Sequence, residues 1–150
     1  MELILWRHAD AEDSSPDMGR ELTDKGRKQA ARVAGWLTPR LSPDIRILVS
    51  PAVRAVRTAQ ALGRHYDVVP ALAPGVCAED VLRVAGWPHA TSPVMIVGHQ
   101  PALGQVAMLL LSGQAGDLTV KKGGVWWFQG HEQMGELQVV LRVVAAPDWL

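Results

Sequence analysis

Four residues of this chain could together carry out phosphoryl chemistry: Arg7, His8, Arg54 and His99. Guanidinium groups bind phosphoryl oxygens two at a time, and a histidine placed in line with phosphorus is a competent nucleophile. Such a cluster without paired acids is tolerable only around an anion or with neutral histidines. The residue types therefore predict phosphoryl transfer through a phosphohistidine intermediate, with the cations stabilising charge on the equatorial oxygens.

Three apolar runs of strand length precede these residues. Residues 3–6 end at Arg7 and His8, and residues 94–97 end at Gly98 and His99. Residues 45–49 are followed by Ser50 and Pro51, with Arg54 one helical turn further on. The runs are near-continuous, which is typical of strands covered on both faces. Because open α/β sheets bind ligands beyond the carboxyl ends of their strands, we expect the four residues to converge at one sheet edge.

Helical patterns alternate with these strands. Thr23 is a predicted N-cap, followed by a core stripe through Leu37, and further helices are predicted over residues 53–65, 80–85 and 101–111. Two later apolar runs, 125–128 and 137–144, have no helix between them, so we expect one of them to run antiparallel. The order predicts one domain, residues 1–150, folded as a three-layer α/β/α sandwich with a mostly parallel central sheet.

Composition excludes several classes of protein. The formal net charge is +0, so no basic field is available to hold nucleic acid or an anionic membrane surface. No segment approaches the roughly 20 apolar residues of a membrane helix, and no secretory signal is present. The single cysteine, Cys77, excludes an internal disulfide and fits a reducing compartment. We therefore expect a cytoplasmic protein without nucleic-acid or membrane partners, and nothing in the sequence requires more than a monomer.

Four ordered motifs resemble the histidine phosphatase (phosphoglycerate mutase-like) superfamily. They are "LILWRHADAE", "RELTDKGRKQA", "LVSPAVRAVRTAQAL" and "MIVGHQPAL", which extend from residue 2 to about residue 105. The resemblance implies that His8 is the nucleophile and that Arg7 and Arg54 bind the phosphoryl group. It also implies that His99 is a second histidine in contact with that group, and that no cofactor is required.

The short chain is similar to one branch of this superfamily. Only about 45 residues separate Ser50 from Val94, and one helix, a short strand and a Pro-Gly loop are expected to fill them, so no sizeable lid can be built. The chain therefore resembles the short, lidless branch of SixA-type phosphohistidine phosphatases. An open pocket of this kind can admit a side chain displayed on another phosphorylated protein.

The chain departs from many relatives in its general acid, for which we find no unambiguous equivalent. Glu79 and Asp80 are the nearest candidates, although acids at these positions also suit a helix N-terminus. Asp10 and Glu12 are possible by position. A phosphoramidate can already carry a proton on its imidazole, whereas an alkyl phosphate ester depends on a proton donor. The missing acid therefore favours phosphohistidine as the substrate.

Two residues near the first helix have alternative roles. Arg20 precedes the "LTxxG" element and either lines the mouth of the pocket, where it would bind substrate, or pairs with a surface acid such as Asp17. Gly26, close to the start of the helix, is expected to permit a close backbone approach.

Three other functions compete with a phosphohistidine phosphatase. One is a phosphatase for small phosphomonoesters, and another is a non-hydrolytic module that recognises phosphate. Binding alone, however, does not require a nucleophile such as His8. A metallohydrolase using His8 and His99 is disfavoured because flanking arginines repel a cation and no ligand spacing accompanies them. We therefore expect a metal-independent enzyme.

Overall fold

One six-stranded sheet organises the chain in the computed structural model, which describes residues 1–150. The strands are β1 (Glu2–Arg7), β2 (Arg46–Val49), β3 (Asp67–Val68), β4 (Val94–Gly98), β5 (Val125–Gln133) and β6 (Glu136–Ala145). Their order across the sheet is β3-β2-β4-β1-β5-β6. Strands β1 to β4 pair in parallel, and β5 is antiparallel to both β1 and β6. The mostly parallel sheet and its one antiparallel strand are therefore confirmed.

Four helices cover the two faces of the sheet: α1 (Asp24–Leu37), α2 (Val53–Gln60), α3 (Ala78–Ala85) and α4 (Ala102–Ser112). Successive side chains of a strand point to opposite faces. Accordingly Leu3 and Leu5 of β1 pack with α3 and α4, whereas Ile4 and Trp6 pack with α1 and α2. This arrangement is the predicted three-layer α/β/α sandwich. No helix is long and apolar enough to span a membrane.

Two helix boundaries differ from the predicted ones by two residues or more. Helix α2 ends at Gln60 instead of continuing to residue 65, and Gly63 shortly after it has a φ of +63°. A left-handed glycine is a common way for the chain to leave a helix, and apolar spacing does not reveal it. Helix α3 begins at Ala78, two residues earlier than predicted.

The segment between β2 and β4 is occupied by α2, β3 and α3. Helix α2 packs on β2 and β4, β3 extends the sheet beside β2, and α3 packs on β4 and α4. These elements leave no stretch long enough for a separate lid, as expected from the length of the segment.

Candidate active site

The ends of three parallel strands are joined by backbone hydrogen bonds. The amide of His8, directly after β1, donates to the carbonyl of Gly98 at the end of β4, with an N···O distance of 3.0 Å. The amide of Ser50, directly after β2, donates to Val97 of β4, also at 3.0 Å. His99 follows Gly98, so the three strand ends place the predicted site residues at one edge of the sheet.

Two imidazole rings and a guanidinium are buried at this edge. The ring centroids of His8 and His99 are 5.2 Å apart, with 53° between the ring planes. His8 is 7% exposed, Arg54 of α2 is 5% exposed and His99 is 4% exposed. Arg7 is half-buried. The structure thus brings together all four residues that the sequence analysis singled out as a phosphoryl site.

His8 has one ring nitrogen committed to the backbone. Its Nδ1 lies 2.8 Å from the carbonyl oxygen of Ala9. A carbonyl only accepts, so Nδ1 carries the ring hydrogen and Nε2 carries the lone pair. Burial lowers the pKa of His8 to about 4. The hydrogen bond to the Ala9 carbonyl raises this pKa, whereas the positive charges of Arg54, Arg7 and Arg20 lower it. The ring is therefore neutral at pH 7, and Nε2 is available as a nucleophile.

His99 is oriented by a serine hydroxyl. Its Nε2 lies 2.6 Å from Ser50 Oγ, which also accepts the amide of Ala52 at 3.2 Å. Ser50 is fully buried and its hydroxyl meets no other acceptor, so it donates to Nε2, which places the ring hydrogen of His99 on Nδ1. Burial lowers the pKa of His99 to about 3, with further lowering by the neighbouring His8 and Arg54.

Three buried side-chain nitrogens at this edge have no hydrogen-bond partner: Arg7 Nε, Arg54 Nε and His99 Nδ1. No other side-chain nitrogen or oxygen of the chain is buried and unpartnered in this way. An orphaned buried donor costs about 1–3 kcal/mol, so three in one cluster indicate a place for an acceptor. An oxyanion with several acceptor oxygens, such as a phosphoryl group, suits this set of donors.

Two residues that sequence reasoning missed support the cluster. Thr58 Oγ1 accepts the amide of Ala9 at 3.0 Å and donates to the carbonyl of Arg54 at 2.7 Å, which ties the end of β1 to α2. The carbonyl of Val120 accepts a hydrogen bond from Arg7 Nη1 at 2.7 Å. The only signal for Thr58 is its place four residues after Arg54, on the same helix face.

A turn between β1 and α1 supplies a carboxylate to the arginines. Arg54 Nη1 donates to the Asp17 carbonyl at 2.9 Å, and Arg54 Nη2 lies 3.3 Å from Asp17 Oδ2. Arg20 Nη1 lies 3.4 Å from the other carboxylate oxygen, and Arg20 Nε donates to the carbonyl of Glu12. Arg20 thus pairs with Asp17, one of its two expected roles, and its charge also lowers the pKa of His8. The pairing of Asp17 with Arg54 was not foreseen.

Comparison with known proteins identifies the family. The family model of the histidine phosphatase superfamily (branch 1) matches residues 3–77. Phosphohistidine phosphatase SixA of Escherichia coli is 30% identical over 126 residues, which are 76% of this chain and 76% of that protein. The chain belongs to the histidine phosphatase superfamily. A Picosynechococcus protein without an assigned activity is 37% identical over 136 residues, covering 83% of this chain and 82% of the relative.

The fold comparison agrees with this membership. The structure of the protein histidine phosphatase SixA complexed with tungstate matches with a TM-score of 0.77. The match covers 99% of this chain and 98% of that one, at 23% sequence identity. Membership of the histidine phosphatase superfamily and the similarity to SixA confirm the predicted family and branch, and they support phosphatase activity.

The candidate general acids of this histidine phosphatase lie apart from its buried cluster. Glu79 is exposed, and Asp80 pairs with Arg83, all within α3. A hydrogen bond from Cys77 and then the Arg83 charge lower the pKa of Asp80. No hydrogen bond or ion pair links either acid to the buried histidines and arginines, so the geometry favours their alternative interpretation as a helix N-terminus.

Asp10 is likewise bound as a carboxylate. Its oxygens accept hydrogen bonds from Thr23 Oγ1 at 2.7 Å and from Lys122 Nζ at 3.0 Å, and these two contacts lower its pKa. Asp10 is therefore ionised at neutral pH and is a poor proton donor. The expected close approach at Gly26 is confirmed, because an added Cβ would lie 1.9 Å from the Asp10 carbonyl oxygen.

Proposed function

We propose that the protein is a phosphohistidine phosphatase that acts through a phosphohistidine intermediate on its own His8. The observation that carries the proposal is the set of three unpartnered buried donors, on Arg7, Arg54 and His99, beside a neutral histidine with a free Nε2. These donors offer hydrogen bonds to phosphoryl oxygens, and Nε2 offers an electron pair to phosphorus. The similarity to SixA of Escherichia coli supports the same activity.

The reaction consists of two displacements at phosphorus. In the first, the lone pair of His8 Nε2 forms a bond to phosphorus while the bond from phosphorus to the substrate imidazole breaks. In the second, water attacks the phosphorylated His8, gives inorganic phosphate and returns the neutral imidazole. Arg7, Arg54 and His99 stabilise the charge on the equatorial oxygens in both steps.

The first displacement needs no acid from the protein when the leaving group is an imidazole. A phosphohistidine that carries a proton on its second ring nitrogen leaves as neutral imidazole. Asp10 and Asp80 are held as carboxylates, so neither supplies the proton that an alkoxide leaving group requires. This supports phosphohistidine in preference to a phosphomonoester.

A phosphorylated protein is the proposed partner because the segment between β2 and β4 forms no lid over the sheet edge. A histidine displayed on another folded protein can then reach His8, whereas a lid would prevent this approach. We propose that the enzyme acts as a cytoplasmic monomer without metal or cofactor, since its own arginines provide the positive charge. A chelator is then expected to leave its rate unchanged, and strong inhibition by the chelator would contradict this part of the proposal.

The test compares wild-type protein with His8→Ala and Arg54→Ala. We expect wild type to hydrolyse a phosphohistidine-bearing protein and free phosphohistidine faster than a panel of phosphate esters. His8→Ala loses turnover but still binds tungstate, while Arg54→Ala weakens both. A phosphoenzyme that is acid-labile and base-stable would identify an N-linked phosphoryl group. Activity retained by His8→Ala removes the nucleophile assignment, and faster ester hydrolysis favours a small-molecule phosphomonoesterase.

A further inference from the structure

A hydrophilic cleft of about 720 Å³ lies beside the phosphoryl site, between α1 and the segment that leads into β5. We call it the cationic cleft, after the five basic residues that line it: Lys25, Lys28, Arg32, Lys121 and Lys122. No hydrophobic residue lines it. The chain as a whole has a formal net charge of +0, so this concentration of positive charge is local.

Two of these five cations are neutralised within the cleft, and three are not. Lys122 pairs with Asp10 at 3.0 Å, and Lys121 pairs with Asp148 at 2.9 Å. The other three lie on α1 and have no carboxylate oxygen within 4.0 Å, although Arg32 Nη1 donates to the carbonyl of Pro147 at 3.4 Å; they are Lys25, Lys28 and Arg32. Their spacing of three and seven residues places them on one face of the helix. They therefore form a row of unpaired positive charge about 10 Å long.

The cationic cleft and the phosphoryl site share neighbouring stretches of backbone. Asp10, in its wall, is two residues after His8, so their Cα atoms are within about 7 Å of each other. On the opposite side, Gly123 follows Lys122, and its amide donates to the carbonyl of His8 at 3.0 Å. The phosphoryl site and the cleft are therefore bordered by the same two backbone segments, at residues 8–10 and 121–123.

We propose that the cationic cleft binds an acidic segment of the phosphorylated protein, next to the phosphohistidine that occupies the site. The inference rests on the proposed function. One phosphate cannot contact both ends of a 10 Å row, whereas several Asp or Glu side chains on one segment can. A chain with a formal net charge of +0 lacks the extended positive field that holds a nucleic-acid backbone, which disfavours that occupant.

Binding of unphosphorylated peptides tests the cleft without any need for turnover. The probes are an acidic peptide with several Asp and Glu residues and the same peptide with Asn and Gln in their place. We expect wild type to bind the acidic peptide at least about tenfold more tightly, and less tightly as salt rises from about 0.05 M to about 0.5 M. The triple variant K25Q/K28Q/R32Q should lose that preference, and K25E/K28E/R32E should bind the acidic peptide more weakly still.

The matched control is R40Q/R46Q/R83Q, which removes the same charge from exposed positions outside the cleft. We expect this control to bind the acidic peptide like wild type. Equal affinity for the two peptides, an equal loss in the control, or stronger competition by an oligonucleotide than by the acidic peptide would each overturn the proposal. Binding is measured apart from hydrolysis. If the protein hydrolyses phosphohistidine but fails these binding tests, only the docking inference is overturned. Binding of the acidic peptide without hydrolysis would contradict the proposed function instead.

Discussion

Replacement of Thr58 by valine should destabilise the protein and misplace its nucleophile. Thr58 is fully buried, and its hydroxyl is the hydrogen-bond acceptor for the amide of Ala9, the residue after His8. Valine has nearly the same shape but offers no acceptor. The variant would therefore leave the Ala9 amide buried and without a partner, at the point where β1 passes into the phosphoryl site.

The expected cost follows from that one orphaned donor. An unsatisfied buried N–H costs about 1–3 kcal/mol. The Arg54 carbonyl, which also loses the Thr58 hydroxyl, belongs to the helical ladder of α2, so its loss adds little. The free energy of unfolding should fall by about 1–3 kcal/mol. Because the Ala9 carbonyl orients the ring of His8, we also expect kcat to fall at least about tenfold.

Two control variants separate the lost acceptor from other effects. Thr38, directly after α1, makes the same bond to the carbonyl four residues earlier, at 2.7 Å, but accepts no remote amide. Thr38→Val should therefore change the unfolding free energy by less than about 0.5 kcal/mol. Thr58→Ser keeps the hydroxyl and loses one methyl group, which costs about 0.8 kcal/mol, and should retain kcat within about twofold.

The free energy of unfolding is measured by urea denaturation, provided that wild type and variant have the same m-value, and kcat is measured by hydrolysis of free phosphohistidine. If Thr58→Val unfolds within about 0.5 kcal/mol of wild type, the Ala9 amide does not depend on this hydroxyl. If Thr58→Val and Thr58→Ser have the same kcat, the bond to Ala9 plays no part in positioning His8. Either result would refute the reasoning.

Three further predictions concern the same edge of the sheet. The pKa of His8 is about 4 in the folded protein against an ordinary 6.5, so the unfolded state binds more protons between these values. The unfolding free energy should therefore decrease as pH falls from about 6.5 to about 4, and urea titrations of His8→Asn should show a shallower decrease. Gly104→Ala would place a Cβ 1.6 Å from a backbone carbonyl oxygen and should cost at least about 1–3 kcal/mol by thermal unfolding. Its control, Gly35→Ala, meets nothing within 4 Å and should stabilise α1 by about 0.5–1 kcal/mol. Ser50→Ala removes the hydroxyl beside His99 Nε2 and should lower kcat about tenfold, while a kcat within twofold of wild type would contradict that role.

The phosphoryl cluster was accessible from sequence because its geometry follows from strand order. Arg7 is the last residue of β1, His8 and His99 come directly after β1 and β4, and parallel neighbouring strands end at the same edge. Arg54 lies in the first turn of α2, the helix that follows a third strand, β2. The convergence could therefore be predicted from the positions of apolar runs, without knowledge of any loop.

The supporting contacts were not accessible in this way. Asp17 reaches Arg54 across 37 positions of sequence, and Val120 reaches Arg7 across 113. Each of these contacts depends on how a loop lies on the sheet edge, and no periodic pattern encodes that path. The early end of α2 was missed for a similar reason, since it depends on the backbone angles near Gly63.

The sequence by itself determined the layered α/β fold, the family, and the four residues that meet at the sheet edge, because hydrophobic periodicity and strand order are local properties. Only the tertiary structure decided which ring nitrogen of His8 is free and which buried donors lack partners. It also decided that three basic residues of α1 have no carboxylate partner. These features depend on distances between residues far apart in the chain, and such distances are set by packing.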